Sequence, residues 1–155
     1  MIARPVAFLS LMVALAYAAS ALSPENRVAR NNLQAAPAHA VAAPSHIADI
    51  QTTVILGDPT KPGPYTIRLS VPANTRIQAH THRDNRTAVV VAGTWYFGYG
   101  PVASAATEKA LPAGSFYTEP AGVAHFAETK TDPVLVYITG EGPTDTLDAN
   151  ARDAP

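Results

Sequence analysis

From residue 52 to residue 139 the chain offers only short extended runs cut apart by glycine and proline, which points to a β-fold. Residues 65–71, Tyr-Thr-Ile-Arg-Leu-Ser-Val, alternate apolar with polar side chains, as a half-buried strand does. The β-branched run 52–56 stops at Gly57-Asp58-Pro59, where Asp58 shapes the turn, and Pro62-Gly63-Pro64 marks a loop before the next run. Further strands are expected over 75–82, 87–92, 94–99, 108–111, 115–118, 124–129 and 134–139. Eight or nine short strands with no amphipathic helix of useful length make a sandwich or a small barrel.

The flanks differ in kind. Residues 1–21 combine one early arginine, an apolar run and small residues in A-x-A spacing, the pattern of a secretory signal peptide cleaved after Ala21. A retained membrane anchor is the alternative, although the run is short for a span of ~20 residues. Residues 22–48 form an Ala/Pro-rich linker whose repeated prolines break helix and strand, and His39 and His46 belong to it as solvated residues. Residues 49–142 form one domain, and the polar tail 143–155 wraps the surface or stays disordered. The chain is therefore expected to be exported, to the periplasm or beyond.

Composition removes several function classes. A net charge of −1 without a basic cluster argues against nucleic acid as a partner. With 0 cysteines the chain has no thiolate ligand or nucleophile and no disulfide, so iron–sulfur, cysteine-rich zinc and cysteine-protease chemistry are excluded.

Three of the 5 histidines fall in a pattern. His80 and His82 stand at i, i+2 on an extended run and share a face, and His125 follows the Pro120-Ala121-Gly122 turn that would return it from another strand. Neutral imidazole is a common transition-metal ligand, and three convergent rings leave coordination positions open. Nitrogen ligands alone do not choose among iron, manganese, zinc, nickel and copper. By strand parity Gln78 and Arg76 would share the face of His80, making Gln78 a substrate-binding candidate, while Ala127 and Thr129 would share that of His125. Trp95 and Phe97 read as core or subunit-contact residues; Tyr65, Arg68, Tyr96, Tyr117 and Tyr137 would line a pocket mouth or pack elsewhere.

These residues resemble the cupin superfamily over about residues 50–140. The second cupin motif, G-x5-P-x-G-x2-H-x3-N, is matched at Gly114, Pro120, Gly122 and His125, with Thr129 in place of the closing Asn. The first motif is matched at His80, His82 and Gly93, but Asn74 stands at its leading Gly and Arg86 at its Glu. The stretches GDPTKPGPYTIRLSVPANTRIQAHTH, VVVAGTWYFGYG and LPAGSFYTEPAGVAHF are similar to small, often exported bacterial cupin-domain proteins. The resemblance implies an all-β, double-stranded β-helix (a jelly-roll-like barrel) with a metal pocket inside, and by analogy a homodimer. It implies no single reaction, because the fold hosts many.

In the family pattern three His and one Glu hold the metal. Carried over, the histidines are His80, His82 and His125, and Arg86 removes the carboxylate. A divalent ion and an arginine ~6 Å apart repel by about 5 kcal/mol at an effective dielectric of 20. Arg86 must therefore swing away, pair with an anion, or accompany a weakened metal site. Three arrangements follow: an open three-histidine site with Arg86 binding a substrate carboxylate; Asp84 as the fourth ligand; or a metal-free pocket for an organic ligand. The first implies a metal-dependent enzyme, oxygenase-like (a dioxygenase), with the metal as Lewis acid and dioxygen activator on a small organic molecule. The alternative is a ligand-binding or sensing module without turnover. Sugar-isomerase-like chemistry is weaker, since no phosphate cradle is evident.

Overall fold

The computed structural model describes residues 50–149, all of them strand, turn or loop with no helix. The expected leader and linker, His39 and His46 among them, lie outside the described residues. The strands are β1 (Gln51–Leu56), β2 (Gly63–Val71), β3 (Arg76–Thr81), β4 (Arg86–Ala92), β5 (Thr94–Tyr99), β6 (Lys109–Pro112), β7 (Phe116–Glu119), β8 (His125–Glu128), β9 (Val134–Gly142) and β10 (Leu147–Asp148). They form two antiparallel five-stranded sheets, β1-β2-β9-β4-β7 and β10-β3-β8-β5-β6. This is the jelly-roll barrel of the expected class.

Alternation builds the core. Tyr65, Ile67 and Val71 of β2, Ala88 and Val90 of β4, and Val134, Val136 and Ile138 of β9 turn inward from one sheet. Trp95, Phe97 and Ala127 meet them from the other, so Trp95 and Phe97 are core residues. The apolar run of β4 is not buried on both faces: Val89 and Val91 stay exposed, alternating with buried Ala88 and Val90. Tyr65 and Tyr117 are buried in this core, whereas Arg68, half-buried within β2, donates to Thr53 Oγ1 at 3.1 Å.

One irregularity sets the site. Between Ile77↔Ala127 and His80↔His125, β3 advances one residue more than β8, which is a β-bulge. The extra residue re-phases the strand, so Ile77 packs on the core and His80 also faces inward, three positions later. Parity across the bulge therefore fails: Gln78 is exposed, and Arg76 is bound outside by Glu128 at 3.0 Å. The clamp on the closing turn is also visible. Thr129, in the place of the motif Asn, donates to Pro72 O at 2.5 Å and accepts from Thr75 N at 2.9 Å.

Candidate metal centre

Two connections between the sheets carry the site. One runs from β3 through His82 into β4, and the other from β7 through Pro120-Ala121-Gly122 into β8. Pro120 O accepts from Val123 N at 3.1 Å, closing a turn whose third residue, Gly122, has φ 71°, a region that glycine enters without steric cost. Gly122 N then donates to His82 O at 2.8 Å, and Ala121 N to Asn85 Oδ1 at 3.0 Å. The two connections are thus sewn together, which sets His125 beside His82.

The three rings converge, with centroids 4.9 Å apart for His80 and His82, 4.4 Å for His80 and His125, and 5.1 Å for His82 and His125. Their ligand nitrogens lie within 4.8 Å of one another. Each Nδ1 faces a backbone carbonyl: Gln78 O at 2.7 Å for His80, Asp145 O at 2.5 Å for His82, and Val123 O at 3.0 Å for His125. A carbonyl only accepts, so each Nδ1 carries the proton and each Nε2 keeps a lone pair. His125 Nε2 is buried and has no hydrogen-bond partner.

Burial is the first cause of low basicity in all three. His80 falls to about 4, with His125 as a second cause. His82 falls to about 2, helped by the Arg86 charge, and His125 is lowered as well. All three rings are therefore neutral at pH 7, the form that ligates metal. Three lone pairs with fixed tautomers and one orphaned buried nitrogen fit a divalent transition metal.

Arg86 starts β4 and is buried, directly opposite Glu119 at the end of β7. Arg86 Nε donates to Glu119 Oε2 at 2.6 Å, and its Nη2 also meets that oxygen and His82 Nε2. Burial alone would lower the Arg86 pKa, but the adjoining Glu119 carboxylate overrides it and raises the value. The Arg86 guanidinium thus pairs with an anion, Glu119, while also touching His82 Nε2. Glu119 Oε2 lies 3.7 Å from both His82 Nε2 and His125 Nε2. Nothing in the sequence pattern nominated Glu119, although it stands inside the second motif; its signal is a cross-strand register that only the fold supplies.

The remaining candidates separate. Asp84 is buried but does not join the histidine cluster: its Oδ2 accepts from Tyr65 OH at 2.7 Å and its Oδ1 from Thr144 Oγ1 at 2.6 Å. Gln78 contributes its carbonyl to His80 while its side chain is exposed. Residues 143–149 are built into the site's support. Besides the Asp145 carbonyl on His82, the Asp145 carboxylate takes Arg83 N and Nε, both at 2.8 Å, and β10 pairs Leu147 with Thr81 and Asp148 with His80. Phe97, 5.5 Å from His125 and 4.4 Å from Tyr117 between ring centroids, makes an apolar floor.

No family model and no curated protein matches the chain. Solved structures do. DMSP lyase DddQ from Ruegeria pomeroyi DSS-3 is 17% identical over 60% of this chain and 47% of that one, with a TM-score of 0.52. A structure from work on the DMSP lyases RdDddP and RnDddQII is 20% identical over 60% of this chain and 47% of that one, with a TM-score of 0.51. A cupin 2 conserved barrel domain protein from Rhodopseudomonas palustris is 12% identical over 60% of this chain and 61% of that one, with a TM-score of 0.50. The chain thus spans less than two thirds of each of these neighbours, and at these identities the likeness is one of fold.

Proposed function

We propose that this chain, whose fold is that of the cupins, binds a divalent transition metal on His80, His82 and His125 and acts as a metal-dependent enzyme on a small organic molecule. One observation carries this reading: three imidazoles, His82 and His125 buried and His80 half-buried, have Nδ1–H tied to carbonyls and ligand nitrogens within 4.8 Å of one another, and His125 Nε2 has no hydrogen-bond partner. Metal-ligating histidines are commonly oriented in this way by a hydrogen bond at the second nitrogen. A bound metal would supply Lewis acidity and, if iron, dioxygen activation. The chain's own residues orient and desolvate: Phe97 and Tyr117 exclude water, and Tyr117 stays a neutral phenol because burial first, and the Glu119 charge next, raise its pKa well above the ordinary value.

Oxygenase-like turnover is proposed together with the metal. The DMSP lyase neighbours do not select it, since likeness of fold leaves the reaction open. Arg86 is proposed as the partner of an anionic group on the ligand, reached by exchange of its Glu119 contact. Export is proposed from residues 1–21 of the sequence, and a homodimer only by analogy with the cupins.

A second reading has its own support. Arg86 Nη2 stands against one of the three lone pairs, on His82, as it would in a metal-free ligand-binding or sensing barrel. Metal content by mass spectrometry on untagged protein, beside His80→Ala/His82→Ala, separates the two. Near-stoichiometric metal that disappears in the variant supports the first, and dioxygen uptake or product formation after iron(II) loading then tests turnover. Protein that stays metal-free after anaerobic iron loading supports the second.

A further inference from the structure

Glu119 and Arg86 face the histidines from the opposite sheet, and their arrangement reaches beyond a three-histidine site. In a tetrahedral site with ligand distances near 2.1 Å, neighbouring donor atoms stand about 3.4 Å apart. Glu119 Oε2 lies 3.7 Å from His82 Nε2 and 3.7 Å from His125 Nε2, within a few tenths of an ångström of that spacing. For these two nitrogens that is closer than the 4.8 Å spanning the three-histidine group, of which Glu119 is not itself a member. The carboxylate is buried against the Arg86 guanidinium, which also touches His82 Nε2. One cation thus contacts a nitrogen and an oxygen that are spaced as two ligands of a single metal.

We propose, resting on the three-histidine reading, that Glu119 is a fourth metal ligand, delivered from β7 in place of the carboxylate absent at position 86, and that the Arg86 guanidinium is the resident cation a divalent metal displaces. The chain's departure at Arg86 is then compensated by the residue directly across the strand pair, since Arg86 and Glu119 are register partners. The exchange is balanced in charge type. Glu119 releases one cation and accepts another, and His82 Nε2 gives up a hydrogen bond to become a ligand. No proton has to move, because Nδ1 already holds the imidazole proton against Asp145 O. Asp84, held by the hydroxyls of Tyr65 and Thr144, has no part in it.

The test titrates cobalt(II) chloride into the full chain and reads the dissociation constant together with the visible ligand-field spectrum. The variants are Arg86→Met, Arg86→Met/Glu119→Gln and, as a control, His80→Ala/His82→Ala, each checked for a cooperative unfolding transition. Comparing the first two keeps the effect of the lost ion pair out of the result, because Arg86 is absent from both. Removing the resident cation should tighten cobalt binding in Arg86→Met at least about tenfold over wild type. Adding Glu119→Gln should weaken it by at least about tenfold and shift the spectrum, since even an outer-shell partner of a metal ligand is worth 10–100-fold. Equal affinities, or a weaker affinity with a superimposable spectrum, overturn ligation by Glu119. Should they be equal while His80→Ala/His82→Ala fails to bind, the three-histidine reading survives and the Glu119 assignment alone falls. An Arg86→Met protein that folds but takes up no cobalt overturns both.

Discussion

Replacing Glu119 by Gln in the metal-free protein would strand a buried guanidinium. Arg86 is 7% exposed and Glu119 3%, and their shortest well-formed hydrogen bond is 2.6 Å. At that distance and an effective dielectric of 20, the gross attraction is about 6 kcal/mol. Much of it offsets the cost of taking both charges out of water, so the pair adds little net stability. Removing one partner is another matter: the remaining charge keeps its desolvation penalty without compensation, a loss of about 3–5 kcal/mol. His82 Nε2 does not replace the carboxylate, because a neutral acceptor offers no countercharge. The assay is urea denaturation at pH 7 with metal chelated, comparing midpoints at constant m. Glu119→Gln should lose about 3–5 kcal/mol, and Arg86→Met/Glu119→Gln should regain most of it, since neither charge is then left alone. A Glu119→Gln protein within about 1 kcal/mol of wild type would refute the buried ion pair as described.

Other expectations follow from the same geometry. The metal-free protein should lose stability on acidification: His80 titrates at about 4 when folded against an ordinary 6.5. Between those values the unfolded chain binds the proton and the native one does not, so its contribution is full above pH 6.5 and shrinks toward pH 4. This one group predicts about 2–3 kcal/mol lower stability at pH 4.5 than at pH 7; a flat urea midpoint over that range would contradict it. In Gly140→Ala the new Cβ would stand 2.5 Å from Asp84 Oδ2 and 2.6 Å from Tyr65 OH, so a loss of about 1–3 kcal/mol is expected in thermal or urea unfolding. Thr129→Val keeps the shape but leaves Thr75 N and Pro72 O without their partner, which should cost about 1–3 kcal/mol; an unchanged midpoint would show that the clamp is not needed.

Local chemistry made most of the barrel legible. Period-2 runs such as 65–71 and turn signals such as Pro120-Ala121-Gly122 dictate strand and turn without reference to distant residues, and the observed β2 and β8 follow them closely. What stayed hidden depends on register between strands. The bulge between Ile77 and His80 is invisible in a string of extended residues, yet it decides that His80 faces inward while Gln78 does not. Arg86 announced a missing carboxylate, but Glu119 became its counterpart only when β4 and β7 were paired. The polar stretch after Gly142 carries no strong strand signal, and β10 forms there because β3 offers it an edge. The Asp145 carbonyl that fixes the His82 tautomer is a backbone group, which no residue type advertises.

Three Nε2 atoms, of His80, His82 and His125, are expected to hold one metal. An anomalous difference map from crystals of the metal-loaded full chain, collected at the absorption edge of the bound metal, tests it most directly. A single strong peak is expected about 2.0–2.2 Å from Nε2 of His80, His82 and His125. A barrel without a peak between these rings, or with its metal on other side chains, would contradict it.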